Sequence, residues 1–395
     1  MTTRRNFLKY SALLGAAASF PVHYALAQAV PATTGSTDPL FTSFHNDILA
    51  GNPRSRTITI PDVGNYKVLK GDFHMHTLFS DGAVMPNVRV QEAIQNGLDC
   101  ISITDHIEVR PNLSRGVLTL AENNDDHNAA YKMGKPEADR NNLILIQGTE
   151  ITKRVMPPGH FNAVFIKDAN AIAEVVDDWE KMLAVAADQG GFVFWNHPGW
   201  VAPTSGGLAA GVPMQFFDEI ENVRKKGHLH GIEVFNGSSH FPIVSDWCNE
   251  RDLGLVTVSD AHSSDLQQYG VNNLRRPITL ILAEDRTEAS IREAFFAKRT
   301  VGWVADMILG RPECVQKLFA ACTEVASRAG SITVKNKSDI PMNLKVGATT
   351  HELKPQGEVN VRFATASDKL EVTNWFIGTY KPLTATLVNS AWRFG

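Results

Sequence analysis

From about residue 68 to residue 283 the chain alternates short apolar runs, each bounded by turn residues, with longer amphipathic segments. Runs of strand length alternating with segments of helix length build parallel βα units, and few other architectures accept that order. The runs fall at 68–76, 100–105, 143–151, 191–196, 231–235, 255–260 and 277–283. Helices are expected at 86–97, with Pro86 in the first turn, and at 171–189, 241–252 and 287–299. Seven strands in such a series predict an α/β barrel. After about residue 310 the rhythm changes. A helix is expected over 312–328, and the short β-rich runs beyond it, broken by Pro341, Pro355, Gly357 and Pro382, predict a small β-sandwich-like C-terminal domain.

Histidines and carboxylates fall at the ends of these runs. His74 and His76 stand two apart near the end of the first, so both imidazoles leave one face of the strand and can hold one metal ion. Asp81 follows in the loop, His106 closes the second run, Glu150 nearly closes the third, His197 ends the run 191–196, and Asp260 and His262 end the run 255–260. His160 instead begins the run Phe161–Ile166; a chain that turns through Lys153–Pro158 and returns antiparallel brings it beside Glu150. All nine gather at the carboxyl ends of the strands, the rim where βα barrels build active sites. A single histidine at such a place is ordinarily a packing or surface residue. Packing alone does not put nine ligand-type residues at the correct ends, from a pool of 13 histidines and 42 acids. His228 and His230 share the spacing of His74 and His76 but precede their run, which assigns them to the opposite rim, and His45, His127, His240 and His351 read as solvated or packing residues.

The series Asp72-Phe73-His74-Met75-His76 through Asp81, Thr104-Asp105-His106, Gly148-Thr149-Glu150, His160, Asn196-His197-Pro198 and Ser259-Asp260-Ala261-His262 resembles the PHP (polymerase and histidinol phosphatase) superfamily over roughly residues 68–303. The resemblance implies a distorted (β/α)7 barrel holding two to three divalent ions. It puts His74, His76, Glu150 and Asp260 on one ion, Asp81, His106 and His262 on a second, and His160 and His197 on a third that Glu150 bridges. Many relatives carry histidine where this chain has Asp81. Nitrogen and oxygen ligands without thiolate favour Zn²⁺, Mn²⁺ or Fe²⁺. Within the superfamily, the export signal and the C-terminal β segment look most like secreted bacterial phosphodiesterases acting on organophosphate diesters.

Three divalent ions, three carboxylate ligands and a bridging hydroxide sum to a charge of about +2, which selects an anionic oxygen-donor substrate such as a phosphate ester. In-line attack on phosphorus by the bridging hydroxide is the expected chemistry. Asp105 and Arg154 are the candidate catalytic side chains, Asp105 by orienting a ligand imidazole. Lys153, Arg154, Trp200 and Asn236 are candidate substrate contacts, and Trp195 and Phe235 can help to wall an ester pocket. No general acid is evident, and a good aryloxide leaving group needs none. A phosphomonoesterase is the alternative. A non-catalytic secreted binding protein would be marked by lost ligands, and none is lost.

The first residues read as an address. Arg4-Arg5-Asn6-Phe7-Leu8-Lys9, an apolar run from Tyr10 to Phe20 and Ala25-Leu26-Ala27 resemble a twin-arginine export signal, with the twin-arginine machinery as partner and the periplasm as destination. The expected division is therefore signal 1–27, linker 28–40, metal-dependent hydrolase barrel 41–310 and C-terminal domain 311–395. The apolar run is far shorter than the roughly 20 residues of a membrane span, so no anchor is expected. A net charge of −4 offers no general attraction for nucleic acid. Four scattered cysteines read as buried thiols, and nothing in the sequence fixes the oligomeric state.

Overall fold

In the computed structural model the described residues are 57–114, 116, 126–153, 157–199, 214–270, 274–328, 331–362, 369–388 and 391–394. The expected signal and linker, His45, Arg154 and Trp200 lie outside them.

Strands β1 (Lys67–Asp72), β2 (Cys100–Ile103) and β3 (Ile144–Thr152) pair in parallel, with Gly71 opposite Cys100 and Cys100 opposite Ile144. The chain then turns back into β4 (His160–Val164), antiparallel to β3 with Thr152 opposite His160, as the position of His160 required. β5 (Phe192–Trp195) is antiparallel to β4, and β6 (Gly231–Asn236) continues in parallel. The short β7 (Ser239–His240) folds back on the end of β6, and β8 (Gly254–Val258) pairs with β6 in parallel. The ring closes where the segment after β1 meets the segment after β8. Met75 lies opposite Ala261, the His76 amide donates to Ala261 O (2.9 Å), and the Asp260 amide donates to His74 O (2.9 Å).

Beneath this seam the expected strand 277–283 is present as β9 (Ile278–Ala283), but it runs antiparallel to β1, with Leu69 opposite Ile281. It is therefore not a seventh parallel member, and the seventh strand of the ring is the antiparallel β4, between β3 and β5. Side chains replace a backbone ladder between β8 and β9: the Thr279 hydroxyl donates to Thr257 O (2.7 Å) and accepts from the Thr257 amide (3.0 Å). The barrel is distorted for this reason. Leu69, Phe73, Ile146, Phe192, Phe194 and Phe295 form a buried apolar cluster, with Phe295 supplied by the helix Glu288–Phe296 that follows β9.

The helix expected over 171–189 divides into Ala169–Ala173 and Trp179–Asp188, because Asp168 and Asp178 each accept from an amide of the following turn and start a new helix. No helix among the described residues is long and apolar enough to cross a membrane. All four cysteines are buried and free.

β10 (Thr300–Val304) pairs antiparallel with β9 and with β11 (Met307–Gly310). The helix Pro312–Cys322 follows, and it ends sooner than expected. Residues 323–328 form β12 (Thr323–Arg328) in a hairpin with β13 (Ser331–Asn336), Thr323 opposite Asn336, so strand pairing overrides the helical reading of that stretch. β14 (Met342–Val346) and β15 (Thr349–Leu353) form a second hairpin, and β16 (Glu358–Val361) completes the small sheet β12–β13–β16. β17 (Leu370–Phe376), β18 (Pro382–Val388) and β19 (Ala391–Phe394) extend the other sheet, in which β17 pairs in parallel with β11. One ladder thus runs from the barrel into the C-terminal region. Phe319, Val334, Met342, Leu344, Leu370, Val372, Trp375 and Leu383 are buried in the core there.

Candidate metal centre

The nine predicted residues meet at the carboxyl rim of the ring, most of them just past strand ends, with Glu150 near the end of β3 and His160 opening the antiparallel β4. His74, His76, Glu150 and Asp260 form the innermost group. His74 Nε2 is 3.1 Å from His76 Nε2, 3.4 Å from Glu150 Oε2 and 3.2 Å from Asp260 Oδ1, and His76 Nε2 is 3.3 and 3.1 Å from the same two oxygens. Ligands of zinc-like ions sit about 2.0–2.1 Å from the ion, which puts tetrahedral neighbours about 3.4 Å apart. Each of these five separations is that of neighbouring ligands on one ion. Glu150 Oε2 and Asp260 Oδ1 are buried yet accept no well-directed hydrogen bond among the described residues. Buried carboxylate oxygens left in that state call for a cation.

Two outer groups flank this cage. Asp81 Oδ2 lies 3.4 Å from both His106 Nε2 and His262 Nε2. On the other side Glu150 Oε1 is 3.0 Å from His160 Nδ1 and 3.8 Å from His197 Nε2, so the two oxygens of Glu150 face different groups. Each set has the composition and closeness needed to hold an ion, and His76 also falls within reach of the Asp81 group. Within the cage His74, His76 and Glu150 are closed to solvent, whereas the side chains of Asp260, Asp81 and His262 are 11%, 29% and 42% exposed, so an incoming molecule approaches from that side.

Residues outside the predicted set fix these side chains. Glu233, fully buried, receives His74 Nδ1 on one oxygen (2.6 Å), and its other oxygen accepts from the His197 amide (2.6 Å) and Asn236 Nδ2 (2.9 Å). Asn236 also donates to Asp260 Oδ2 (3.1 Å), and Asn196 donates to Glu150 Oε1 (2.9 Å). His197 and Asp260 hold φ of 26° and 49°, a left-handed backbone unusual for such residues and typical of functional sites. Glu233 was missed in the sequence, although a carboxylate inside the apolar run Gly231–Phe235 is the signal that finds it, since a charge buried there needs partners.

The remaining sequence candidates divide. Asp105 does not touch a ligand imidazole. It accepts from the Thr77 amide (2.7 Å), the Thr77 hydroxyl (2.5 Å) and the Ser80 hydroxyl (2.6 Å), and Ser80 Oγ in turn lies 3.4 Å from His76 Nδ1. Lys153 is occupied by Glu108 (2.8 Å) and Val176 O (2.8 Å). Trp195 is buried and stacks on Trp247, so it packs the core. His230 accepts from the Val193 amide through Nδ1 (3.0 Å), beyond the amino end of β6, as its position in the sequence implied.

Burial opposes charge on the site's side chains, yet the cluster overrides it for most. It works to lower His74, but the Asp260, Glu150 and Glu233 carboxylates hold that imidazole well above the ordinary range. Against the same burial, Glu150 and Asp81 drive His106 up to about 10. Burial would raise Glu150 and Asp260; the facing imidazoles, His106 and His74 for the first and His74 and His76 for the second, keep both well below the usual carboxylate range. His76 falls to about 4 because burial and the neighbouring His262 and His106 disfavour another cation. The protein thus presents ionised carboxylates around a buried point and stabilises positive charge there.

Residues 1–21 match the family of TAT (twin-arginine translocation) pathway signal sequences, which indicates export by that route. No curated protein matches the chain. Among solved structures, a two-domain protein from Bacteroides vulgatus containing a predicted PHP-like metal-dependent phosphoesterase is 33% identical, with a TM-score of 0.77 over 85% of this chain and 99% of that one. A candidate metal-dependent phosphoesterase from Bifidobacterium adolescentis is 17% identical, with a TM-score of 0.36 over 49% of this chain and 88% of that one. With one position in three identical along the whole of the Bacteroides protein, and the histidine and carboxylate groups assembled at the rim, the chain belongs to the PHP superfamily of metal-dependent phosphoesterases.

Proposed function

We propose that this protein is an exported, periplasmic phosphodiesterase with two to three divalent ions, Zn²⁺, Mn²⁺ or Fe²⁺, held by His74, His76, Glu150 and Asp260, by Asp81, His106 and His262, and by His160 and His197. The observation that carries this reading is the set of 3.1–3.4 Å separations among His74, His76, Glu150 and Asp260, a coordination shell closed on the inside and open outward. Ions bound there supply Lewis-acid charge for the phosphoryl oxygens and a hydroxide nucleophile near neutral pH. The chain's own part is orientation. Glu233 fixes the His74 ring so that Nε2 faces the cage, Asn196 holds Glu150, and Asn236 holds Asp260. Asp105 and Lys153 are engaged with their own partners, so neither stands ready to protonate a leaving group, which favours esters of acidic alcohols and phenols.

A cavity of about 340 Å³ on the same rim favours a diester over a monoester. Its walls include Phe235, Gly237, Tyr269, Leu274, Pro277 and Val304, and it can take an apolar ester group. Gly237 directly follows Asn236, and the Tyr269 hydroxyl donates to Ser259 O, next to Asp260 (3.1 Å).

The test compares initial rates of the metal-loaded mature protein on bis(4-nitrophenyl) phosphate and 4-nitrophenyl phosphate. Faster turnover of the diester is expected. Preference for the monoester makes the protein a phosphatase, and no turnover of either with metal bound removes the catalytic reading. Glu233→Gln keeps the shape of the orienting contact and removes its charge, so metal affinity measured by equilibrium dialysis is expected to fall about 10–100-fold.

A further inference from the structure

We infer that Arg89 is a positioning residue for the metal centre, and that its guanidinium sets the spacing of the two segments that carry His74, His76, Asp260 and His262. The inference rests on the reading that these residues hold metal. The segments after β1 and β8 meet at the seam of the ring through backbone bonds from His76 to Ala261, from Asp260 to His74 and from Ala83 to His262, and through Ser259, whose amide donates to Asp72 Oδ1 (3.1 Å). Below the seam β9 takes the place beside β1, so no continuous ladder braces it. Arg89, on the helix Pro86–Gln95 and fully buried, supplies the brace. Nε donates to His76 O (2.9 Å), Nη2 to Ala261 O (2.9 Å) and Nη1 to Ser263 O (2.8 Å).

Each of those carbonyls belongs to a ligand residue or to its immediate neighbour. One rigid, planar fork thus holds both segments, so their separation is set by guanidinium geometry, a task lysine's single ammonium cannot reproduce. Nη1 also donates to Glu92 Oε2 (2.8 Å), which balances the charge, and the other Glu92 oxygen accepts from the Asp265 amide (2.7 Å) and anchors the loop after His262. The cage edge between His76 Nε2 and Asp260 Oδ1, 3.1 Å, spans this same seam, so a small shift there alters coordination directly.

The test uses Arg89→Lys, with Asn336→Ser as a control that loses buried hydrogen bonds to Ile340 O and Lys354 O, away from the seam. Mn²⁺ binding is followed by equilibrium dialysis and by the electron paramagnetic resonance spectrum of the bound ion, alongside thermal unfolding. Arg89→Lys is expected to weaken Mn²⁺ binding at least tenfold and to change the spectrum, whereas Asn336→Ser unfolds at lower temperature with wild-type affinity and spectrum. Affinity within twofold of wild type and an unchanged spectrum in Arg89→Lys would reduce Arg89 to a structural role. Should that variant not fold, Glu92→Gln, which removes the charge that balances the fork, is judged by the same two readouts. Wild-type protein that binds no Mn²⁺, Zn²⁺ or Fe²⁺ overturns the metal reading itself, a result distinct from an unaffected Arg89 variant.

Discussion

Glu150→Gln is expected to lower kcat by about a thousandfold and to cost the protein at least one bound ion, because removing one member of a site that acts as a unit removes most of what the unit does. Among the described residues Glu150 alone is shared by the inner cage and the His160–His197 group, with Oε2 turned to His74 and His76 and Oε1 to His160. The amide has nearly the same shape, so packing survives, but it lacks the negative charge and offers one oxygen instead of two. Asn196→Ala tests whether position or charge dominates. It leaves the charge in place and removes the 2.9 Å bond to Oε1 together with the two bonds that Asn196 makes with Asn162, and a milder fall of about 10–100-fold is expected, as for other residues that orient a ligand. Metal content read by atomic absorption separates the cases: Glu150→Gln loses ions, while Asn196→Ala retains them at saturating concentration. Equal losses in the two variants would mean that orientation, rather than the bridging charge, carries the effect.

Much of this site was legible in the sequence because strand periodicity and barrel topology are strong constraints. A ligand-type residue at the end of each apolar run can only reach the carboxyl rim, and His160, which opens its run, forced the antiparallel return that β3 and β4 make. Other features left weaker traces. The run Ile278–Ala283 is buried on both faces, so its pattern reads the same in either direction, and its antiparallel course follows from pairing with β1. The stretch after Cys322 has no helix stop of its own and becomes a strand only because β13 is there to pair with it. Arg89 reads as one more cation on an amphipathic helix, since the three carbonyls that it gathers come from residues far apart along the chain. Lys153 reads as a rim cation until Glu108, whose carboxylate also accepts from the Thr152 amide, is seen to hold it.

Chelation is expected to lower the melting temperature as well as to abolish turnover, and the gap between loaded and metal-free protein should widen as pH rises. Ions present at about 1,000 times their Kd stabilise the folded state by about 4 kcal/mol, which in a chain of this size corresponds to about 5 °C. In the metal-free fold His106 stands near 10 against an ordinary 6.5, so its contribution to stability is fully present below pH 6.5 and is lost as pH rises through about 10. His74 and His262 are raised as well and act in the same direction. Glu150 and Asp260 are depressed from ordinary values of 4.5 and 3.8; their contribution is complete above that range and adds no slope near neutrality. The protons that stabilise the metal-free fold must leave before the same nitrogens can coordinate, so ion affinity rises over the window in which the metal-free protein weakens. Scanning calorimetry at pH 7, 8 and 9, with EDTA or with saturating Mn²⁺, measures both limbs. A gap that stays constant across that range would show that no proton is displaced on loading, and would count against imidazoles shared between the carboxylates and the ions.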